Sequence, residues 1–466
     1  MRHSIMLAGI ASGCGKTSLS MALIAALGKR GFEVFPYKVG PDYLDPMYLR
    51  WAAQKDCLNL DLFFAPLEHL KSLLQPSGLN VIEGVMGYYD GDKQGQNSCA
   101  DLALSLDIPV LLIVNPFKMA QSFAALIYGF VHFKTAGKQI KGIILNNYTS
   151  EKQKKLFATY LQQNDLPPLI GAIPSGLLPN LLSRYLGLKS EIKLSSEDLD
   201  KFAQTAEKYL DLNFILNQII QIKTIKTQNY ASISQKSTKR CVLTETNVKI
   251  KTRKPVLVVL KDKIFNFYYL ANLQALAKAG VKLVFASISD QLPSKVDGIF
   301  LGGGYPELYA KELSQEQKFI QWLKSFAWDG GKIYAECGGL IFLSKGIVVN
   351  NQKYAFAGLV PYWTELHSKL VRLGYVQVRL VQDAGWLAQN MTLRGHEFHY
   401  SKLLVSEADL LNQKNISNVY EVVDSQNNKV NTFGLKVNNV LASFVHLYFA
   451  HDQKVVQHMV NFLTQK

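Results

Sequence analysis

Cysteine is scarce in this chain. Five occur, Cys14, Cys57, Cys99, Cys241 and Cys337, and none belongs to a C-x-x-C pair. An odd and scattered set argues against a disulfide framework and against a structural zinc site. Long apolar runs are missing too. The nearest approach to a membrane span, residues 110–130, is interrupted by Asn115, Pro116, Lys118 and Gln121, so it reads as a buried strand followed by a helix. The apolar run after Met1 passes straight into a glycine-rich loop and never becomes a signal-peptide core. The expectation is a cytoplasmic protein with no membrane partner.

Charge is sparse at 19% of residues, and its signs are unequal: 51 Lys and Arg face 36 Asp and Glu, a formal net charge of +15. Such a field draws in nucleic acids, but it draws in ATP and polycarboxylate substrates equally well. Basic residues concentrate only in 223–254, with Lys236, Lys239, Arg240, Lys249, Lys251, Arg253 and Lys254. That stretch lacks interleaved aromatics and an apolar period, so it reads as a solvated linker and not as a nucleic-acid module. At 466 residues, 48% of them hydrophobic, the chain is too long for one core. The expected division is a first domain over 1–222, the linker over 223–254 and a second domain over 255–466.

The stretch from Leu7 to Ser18, LAGIASGCGKTS, follows an apolar run and leads into the helical pattern of Leu19 to Leu27. A strand, a glycine-rich loop and a helix in that order expose backbone N–H groups to an oligophosphate. Gly13 and Gly15 shape the loop, Lys16 reaches the β- and γ-phosphates, the Thr17 hydroxyl holds Mg²⁺, and Ser18 opens the helix beside them. Five residues separate Gly9 from Gly15, one more than in the strict motif, a spacing that resembles the deviant P-loop of dethiobiotin synthetase. ATP with Mg²⁺ is the expected ligand.

Acids stand at the ends of two further predicted strands. Asp42 and Asp45 follow Val34–Val39 in Gly40-Pro41-Asp42-Tyr43-Leu44-Asp45-Pro46, where they hold Mg²⁺, position a substrate, or simply make Asx-type hydrogen bonds in a proline-pinned turn. Glu83 ends the run Leu79-Asn80-Val81-Ile82 and is a second metal candidate, and Asp90 lies in the glycine-spaced loop beyond it. Strands alternating with helical patterns continue to Pro174, which gives a doubly wound, mostly parallel sheet.

In the second half, Val296–Leu301 leads into Gly302-Gly303-Gly304-Tyr305-Pro306-Glu307, a turn whose amides suit an oxyanion hole. Lys332-Ile333-Tyr334-Ala335-Glu336-Cys337-Gly338-Gly339 then runs a strand into a sharp turn and a helix. That is a nucleophile elbow, with the Cys337 thiol at a helix N-terminus expected to lower its pKa, and with Gly303, Gly304 and Gly338 as oxyanion donors. The base is sought in Ser443-Phe444-Val445-His446, a plausible histidine that spacing alone does not fix. Arg394-Gly395-His396-Glu397-Phe398-His399 is dense in polar groups, but its histidines are one residue short of the zinc-binding helical spacing.

These motifs together resemble the cobyrinic acid a,c-diamide synthase family, a P-loop synthetase fused to a class I glutamine amidotransferase. The Ser12–Thr17 loop, Gly40–Pro46, Glu83–Gly91 and Arg184-Tyr185-Leu186-Gly187-Leu188 carry the resemblance in the first half, and the cysteine, histidine and glycine loop carry it in the second. It implies two α/β, doubly wound domains: an N-terminal dethiobiotin-synthetase-like P-loop domain and a C-terminal flavodoxin-like glutamine amidotransferase domain. It implies small-molecule partners (ATP, glutamine and a corrinoid or related tetrapyrrole carboxylate) in a monomer or homodimer. Asp42, Tyr43, Asp45 and Asp90 would meet substrate, Thr17, Asp45 and Glu83 the metal, and His446 would activate Cys337. The chain departs from the family in carrying Leu49 and Tyr185 in place of histidines. It also has Tyr448 where many amidotransferases place the glutamate that orients the histidine, so only a Cys337–His446 dyad is expected. Two rivals stand beside this reading: an amidase of another tetrapyrrole such as nickel-sirohydrochlorin, and a P-loop ATPase switch of the partitioning type.

Overall fold

In the computed structural model, residues 3–178, 194–219, 253–405 and 415–465 are described, and they form two compact units that divide before residue 253. Nearly all of the expected linker, and the Arg184–Leu188 segment with Tyr185, lie outside the described residues.

The first unit is built on seven strands: β1 (His3–Gly9), β2 (Val34–Val39), β3 (Leu58–Leu60), β4 (Leu79–Glu83), β5 (Val110–Val114), β6 (Ile140–Tyr148) and β7 (Leu169–Pro174). Their order is β3-β2-β4-β1-β5-β6-β7 and every pairing is parallel. Continuous apolar strands such as Met6-Leu7-Ala8 and Val110–Val114 belong in the middle of such a sheet, because both of their faces are covered by helices. The first helix, α1 (Lys16–Lys29), is buried almost without interruption from Ser18 to Leu27, since it packs on β4 and also beneath the helices Asp45–Ala53 and Ser196–Tyr209. The latter helix begins with a capping box between Ser195 and Asp198 and is tied to the end of α1 by the Arg30–Glu207 ion pair.

In the second unit the central sheet runs Lys282–Ala286, Val256–Leu260, Gly298–Leu301, Ile333–Glu336, Val440–Ser443, Gly434–Val437 and Ser417–Asn418. The first five are mutually parallel, and counted along the chain their order is 2-1-3-4-5, the flavodoxin arrangement. A separate antiparallel sheet of Tyr420–Asp424, Arg372–Leu380, Thr392–His399 and His446–Tyr448 carries the histidine. No helix among the described residues is long and apolar enough to cross a membrane.

Leu49, where the resembling family carries histidine, is fully buried in the same apolar cluster as Leu23, Leu27 and Phe202. It is a core residue here, and an imidazole at this place would be desolvated. Leu49→Ala is expected to cost about 2–5 kcal/mol in urea unfolding, and the volume-conserving Leu49→Met less than about 1.5 kcal/mol. Equal midpoints for Leu49→Ala and the wild type would contradict the core assignment.

Candidate functional site

The first unit gathers its chemistry at the C-terminal edge of β2, β4 and β1, three neighbours in the sheet. Gly13 and Gly15 both have positive φ, 77° and 92°, so the loop closes only with glycine at these turns. A Cβ on Gly15 would come within 2.1 Å of the Asn146 amide, which itself donates to the Cys14 carbonyl at 2.9 Å. Asn146, at the end of β6, thus props the loop from below. The Lys16 ammonium donates to the carbonyls of Ala11 at 3.0 Å and Met86 at 2.6 Å, and Tyr88 N–H bonds the Gly9 carbonyl at 2.8 Å. The loop after Glu83 therefore lies directly on the P-loop.

Thr17 Oγ1 donates to Glu83 Oε1 at 2.8 Å, and the same oxygen accepts from Lys38 Nζ at 2.7 Å. Lys38 also reaches Asp45 Oδ2 at 2.6 Å and the Gly84 carbonyl at 3.1 Å, and its side chain is 1% exposed. Burial works against its charge, yet Glu83, Asp45 and Asp42 outweigh burial and hold the ammonium above its ordinary value. Burial lifts the Glu83 carboxyl to about 7 against the pull of Lys38, and its Oε2 is buried without a hydrogen-bond partner. That orphan oxygen beside the Thr17 hydroxyl suits Mg²⁺, which keeps water and phosphate oxygens as most of its ligands and needs few from protein. Consistent with that economy, no cluster of three His, Cys, Asp or Glu fit to hold a metal occurs among the described residues.

Asp42 and Asp90 also take part in local hydrogen bonds. Asp42 accepts from the N–H groups of Leu44 and Asp45, closing an Asx-type turn, and Tyr43 lies within that turn just ahead of the helix that Asp45 begins. Asp90 is exposed and accepts from Gly87 N–H at 2.7 Å, while Ser18 is buried in the first turn of α1.

In the second unit, the strand Ile333–Glu336 ends on Cys337, whose backbone takes φ 47° and ψ −101° before the helix Gly338–Leu343. A positive φ at a non-glycine residue is strained, and this is the sharp turn of a nucleophile elbow. Its N–H is held by the Ser443 carbonyl at 2.7 Å. A Cβ on Gly338 would lie 2.9 Å from Gly304 N and 3.0 Å from Pro306 Cδ, and one on Gly303 would lie 2.4 Å from His446 Cε1. Gly303, Gly304, Gly338, Cys337 and His446 therefore share one place. The loop is fixed by the Tyr268 hydroxyl, which donates to the Leu260 carbonyl and accepts from Gly302 N–H at 2.8 Å.

His446 stands opposite His396 in the antiparallel pair, with the rings stacked at 5.0 Å. His396 is held well below its ordinary pKa by burial and by His446, so it stays neutral, and its Nδ1 shares a proton with the Tyr269 hydroxyl at 2.8 Å. His446 Nδ1 lies 3.6 Å from Glu336 Oε2, with both side chains 2% exposed. Glu336 Oε1 is fixed in turn by Tyr334 OH at 2.8 Å and Leu447 N–H at 3.1 Å. Cys337, His446 and the buried Glu336 thus gather at one place, where the His446–Glu336 approach is longer than a hydrogen bond, as is common before substrate binds. The expected depression of the thiol pKa is not seen. Burial, then Glu307, push the Cys337 thiol up, and a six-residue helix does not reverse this.

Family models match each of the two units. Residues 5–176 match the CobQ/CobB/MinD/ParA nucleotide binding domain, and residues 256–454 match the CobB/CobQ-like glutamine amidotransferase domain. The cobyrinate a,c-diamide synthase of Syntrophotalea carbinolica is 35% identical over 98% of both chains. Those of Caldanaerobacter subterraneus and Dehalococcoides mccartyi strain CBDB1 are 33% and 34% identical, covering 96% and 98% of this chain and 95% and 97% of their own. The chain belongs to the cobyrinate a,c-diamide synthase family. It is accordingly a glutamine-hydrolysing carbon–nitrogen ligase with a nucleotide-binding P-loop domain, which leaves no place for a partitioning-type switch.

Two residues of this family member's sites escaped the sequence reading, and both had a signal. Lys38 is a lysine inside an otherwise apolar central strand, where a charge persists only if paired. Glu336 ends an apolar strand as Glu83 does, and the same rule that selects Glu83 selects it. Tyr448, which occupies the usual glutamate position, is buried edge-on against the Tyr269 ring. Lys38→Met would strand two carboxylates. It is expected to cost about 3–5 kcal/mol at pH 8 in urea unfolding. Uncompensated carboxyls have folded-state pKa values above their unfolded ones, so the deficit should shrink as pH falls towards 5 and grow as pH rises. A deficit independent of pH would contradict the pairing.

Proposed function

We propose that this chain amidates the a and c carboxylates of cobyrinic acid, using ATP to activate each carboxylate and glutamine as the source of nitrogen. The observation that carries the proposal is the presence of two preorganised centres in a chain aligned end to end with cobyrinate a,c-diamide synthases: a P-loop backed by Lys38, Asp45 and Glu83, and an elbow cysteine backed by His446 and Glu336.

At the second unit, His446 accepts the Cys337 proton as the sulfur attacks the carboxamide carbon of glutamine, while the amides of Gly304 and Gly338 face the developing oxyanion. The proton passes from His446 to the leaving nitrogen, ammonia departs, and water hydrolyses the thioester to glutamate. Glu336 keeps His446 in the tautomer that presents Nε2 to sulfur and stabilises the imidazolium, the part usually given to a glutamate two residues after the histidine.

At the first unit, a substrate carboxylate oxygen attacks the γ-phosphorus of ATP, and ammonia then displaces phosphate from the acyl phosphate to leave an amide. A free carboxylate is a poor acyl donor, so phosphorylation supplies the leaving group. Lys16 and the loop amides hold the phosphates, and Lys38 stands where charge moves between the phosphoryl group and the carboxylate. Mg²⁺, held by Thr17 and Glu83 with Asp45 nearby, would neutralise phosphate charge. Asp42 shapes the turn that presents Tyr43 and Asp45 to the macrocycle, and Asp90 fixes the facing loop. With ATP and glutamine as co-substrates, the reaction belongs in the cytoplasm.

Purified protein is expected to release glutamate from glutamine in an ATP-dependent manner when cobyrinic acid is added, with a product mass that matches conversion of two carboxylates to amides. Stimulation by nickel-sirohydrochlorin alone would move the substrate to that macrocycle, and release indifferent to both would refute the corrinoid assignment. Cys337→Ala should abolish glutamine-dependent amidation and leave amidation by ammonium salts. Glu336→Gln, which favours the wrong tautomer, should lower glutaminase kcat by roughly 10²- to 10⁴-fold with little change in KM; an unchanged kcat would remove Glu336 from the catalytic group.

A further inference from the structure

Three carboxylates act on the Cys337 thiol: Glu307, Glu397 and Glu336, in that order of strength. Two of them are satisfied. Glu397 accepts from Arg372 at 3.1 Å and Thr432 at 2.8 Å, and Glu336 accepts from Tyr334 and Leu447. Glu307 is different. Its Oε2 is closed to solvent and has no hydrogen-bond partner among the described residues. Burial lifts this carboxyl to about 7, so it holds its proton until a cation stands beside it. It follows Gly304 by three residues, and Pro306, its neighbour, lies against Gly338 directly behind the nucleophile.

A carboxylate oxygen closed to solvent and left without a partner beside a nucleophile is suited to a cation that arrives with substrate. Glutamine brings one cationic group, its α-ammonium. We propose that Glu307 binds the α-ammonium of glutamine, so that substrate recognition and activation of the Cys337 thiol are one event. This rests on the reading of the second unit as the glutaminase. Before glutamine enters, any charge on Glu307 opposes thiolate formation. Once the ammonium sits on Glu307 that opposition is cancelled, and the thiol loses its proton to His446 more readily. The arrangement restrains the nucleophile until the correct substrate is present, and it selects glutamine over an amide that lacks the amino group.

The test compares glutamine with glutaramate, which has the same carboxamide and carboxylate but no α-amino group. Wild-type protein should prefer glutamine in kcat/KM by on the order of 10²-fold, the worth of a buried charge-assisted contact. In the isosteric Glu307→Gln the preference should collapse to within about threefold, chiefly through a higher KM for glutamine, and the unliganded Cys337 should be alkylated faster by iodoacetamide because the opposing charge is gone. A preference retained in Glu307→Gln overturns the proposal and leaves the glutaminase reading intact, whereas a wild type that releases no glutamate removes the glutaminase reading itself. If Glu307→Gln hydrolyses neither compound, the glutamine concentration that halves the rate of Cys337 alkylation decides. A roughly 100-fold increase over wild type supports the contact, and an equal concentration overturns it.

Discussion

The contact of Lys38 with Glu83 and Asp45 is the interaction on which the first unit depends. A parallel sheet covered by helices offers its strand ends little water, so a carboxylate placed at the end of β4 is tolerable only with a cation beside it. Lys38 is that cation, brought into register with Glu83 by the parallel pairing of β2 and β4. Once it is there, Thr17 can bond the same carboxylate, which fixes the first turn of α1 and with it the P-loop amides. The Glu83 oxygen left without a partner is what suits the place to a divalent metal and to the reacting end of ATP. Nucleotide chemistry here grows out of a compensation the fold requires in any case.

The second unit meets the same constraint with different residues. Glu336 also ends a central parallel strand, and it is fixed by a tyrosine and a backbone amide, with His446 3.6 Å away. Because Cys337 follows it immediately through a strained backbone, one strand end would supply, in the proposed reaction, both the nucleophile and the acid that orients the base. This relieves the position after the histidine of its usual duty and frees it for Tyr448, which packs against Tyr269. Burial, and after it the surrounding carboxylates, raises the thiol pKa, so the resting thiol is protonated, and in the proposed reaction its activation falls to His446 and to what substrate brings with it.

Much of this was legible in the sequence. Alternating apolar strands and helices announced both sheets, and the glycine spacing around Lys16 and Cys337 located both centres, because a strand-to-helix turn leaves a local signature. What stayed hidden depended on pairing between distant strands. Nothing near Lys38 states that Glu83, 45 residues later, lies beside it. Nothing near Glu336 states that it meets a histidine 110 positions on. Local sequence does not reveal how deeply a thiol is buried, so the helix-terminus argument gave the wrong direction for Cys337. Asp42 was readable both as an Asx-turn former and as a ligand, and the hydrogen bonds to Leu44 and Asp45 show the first role. Leu49 looked like a lost substrate contact when set against the family's histidine, whereas the structure makes it part of the core.

The central claim is that nitrogen released at Cys337 ends in an amide whose carboxylate oxygen leaves with phosphate. Isotope transfer tests it most directly. With amide-¹⁵N glutamine and a macrocycle whose carboxylates carry ¹⁸O, mass spectrometry should find ¹⁵N in each new amide and one ¹⁸O in the phosphate formed with it. Phosphate free of ¹⁸O, or ¹⁵N found only as ammonium while the product stays unlabelled, would contradict the account.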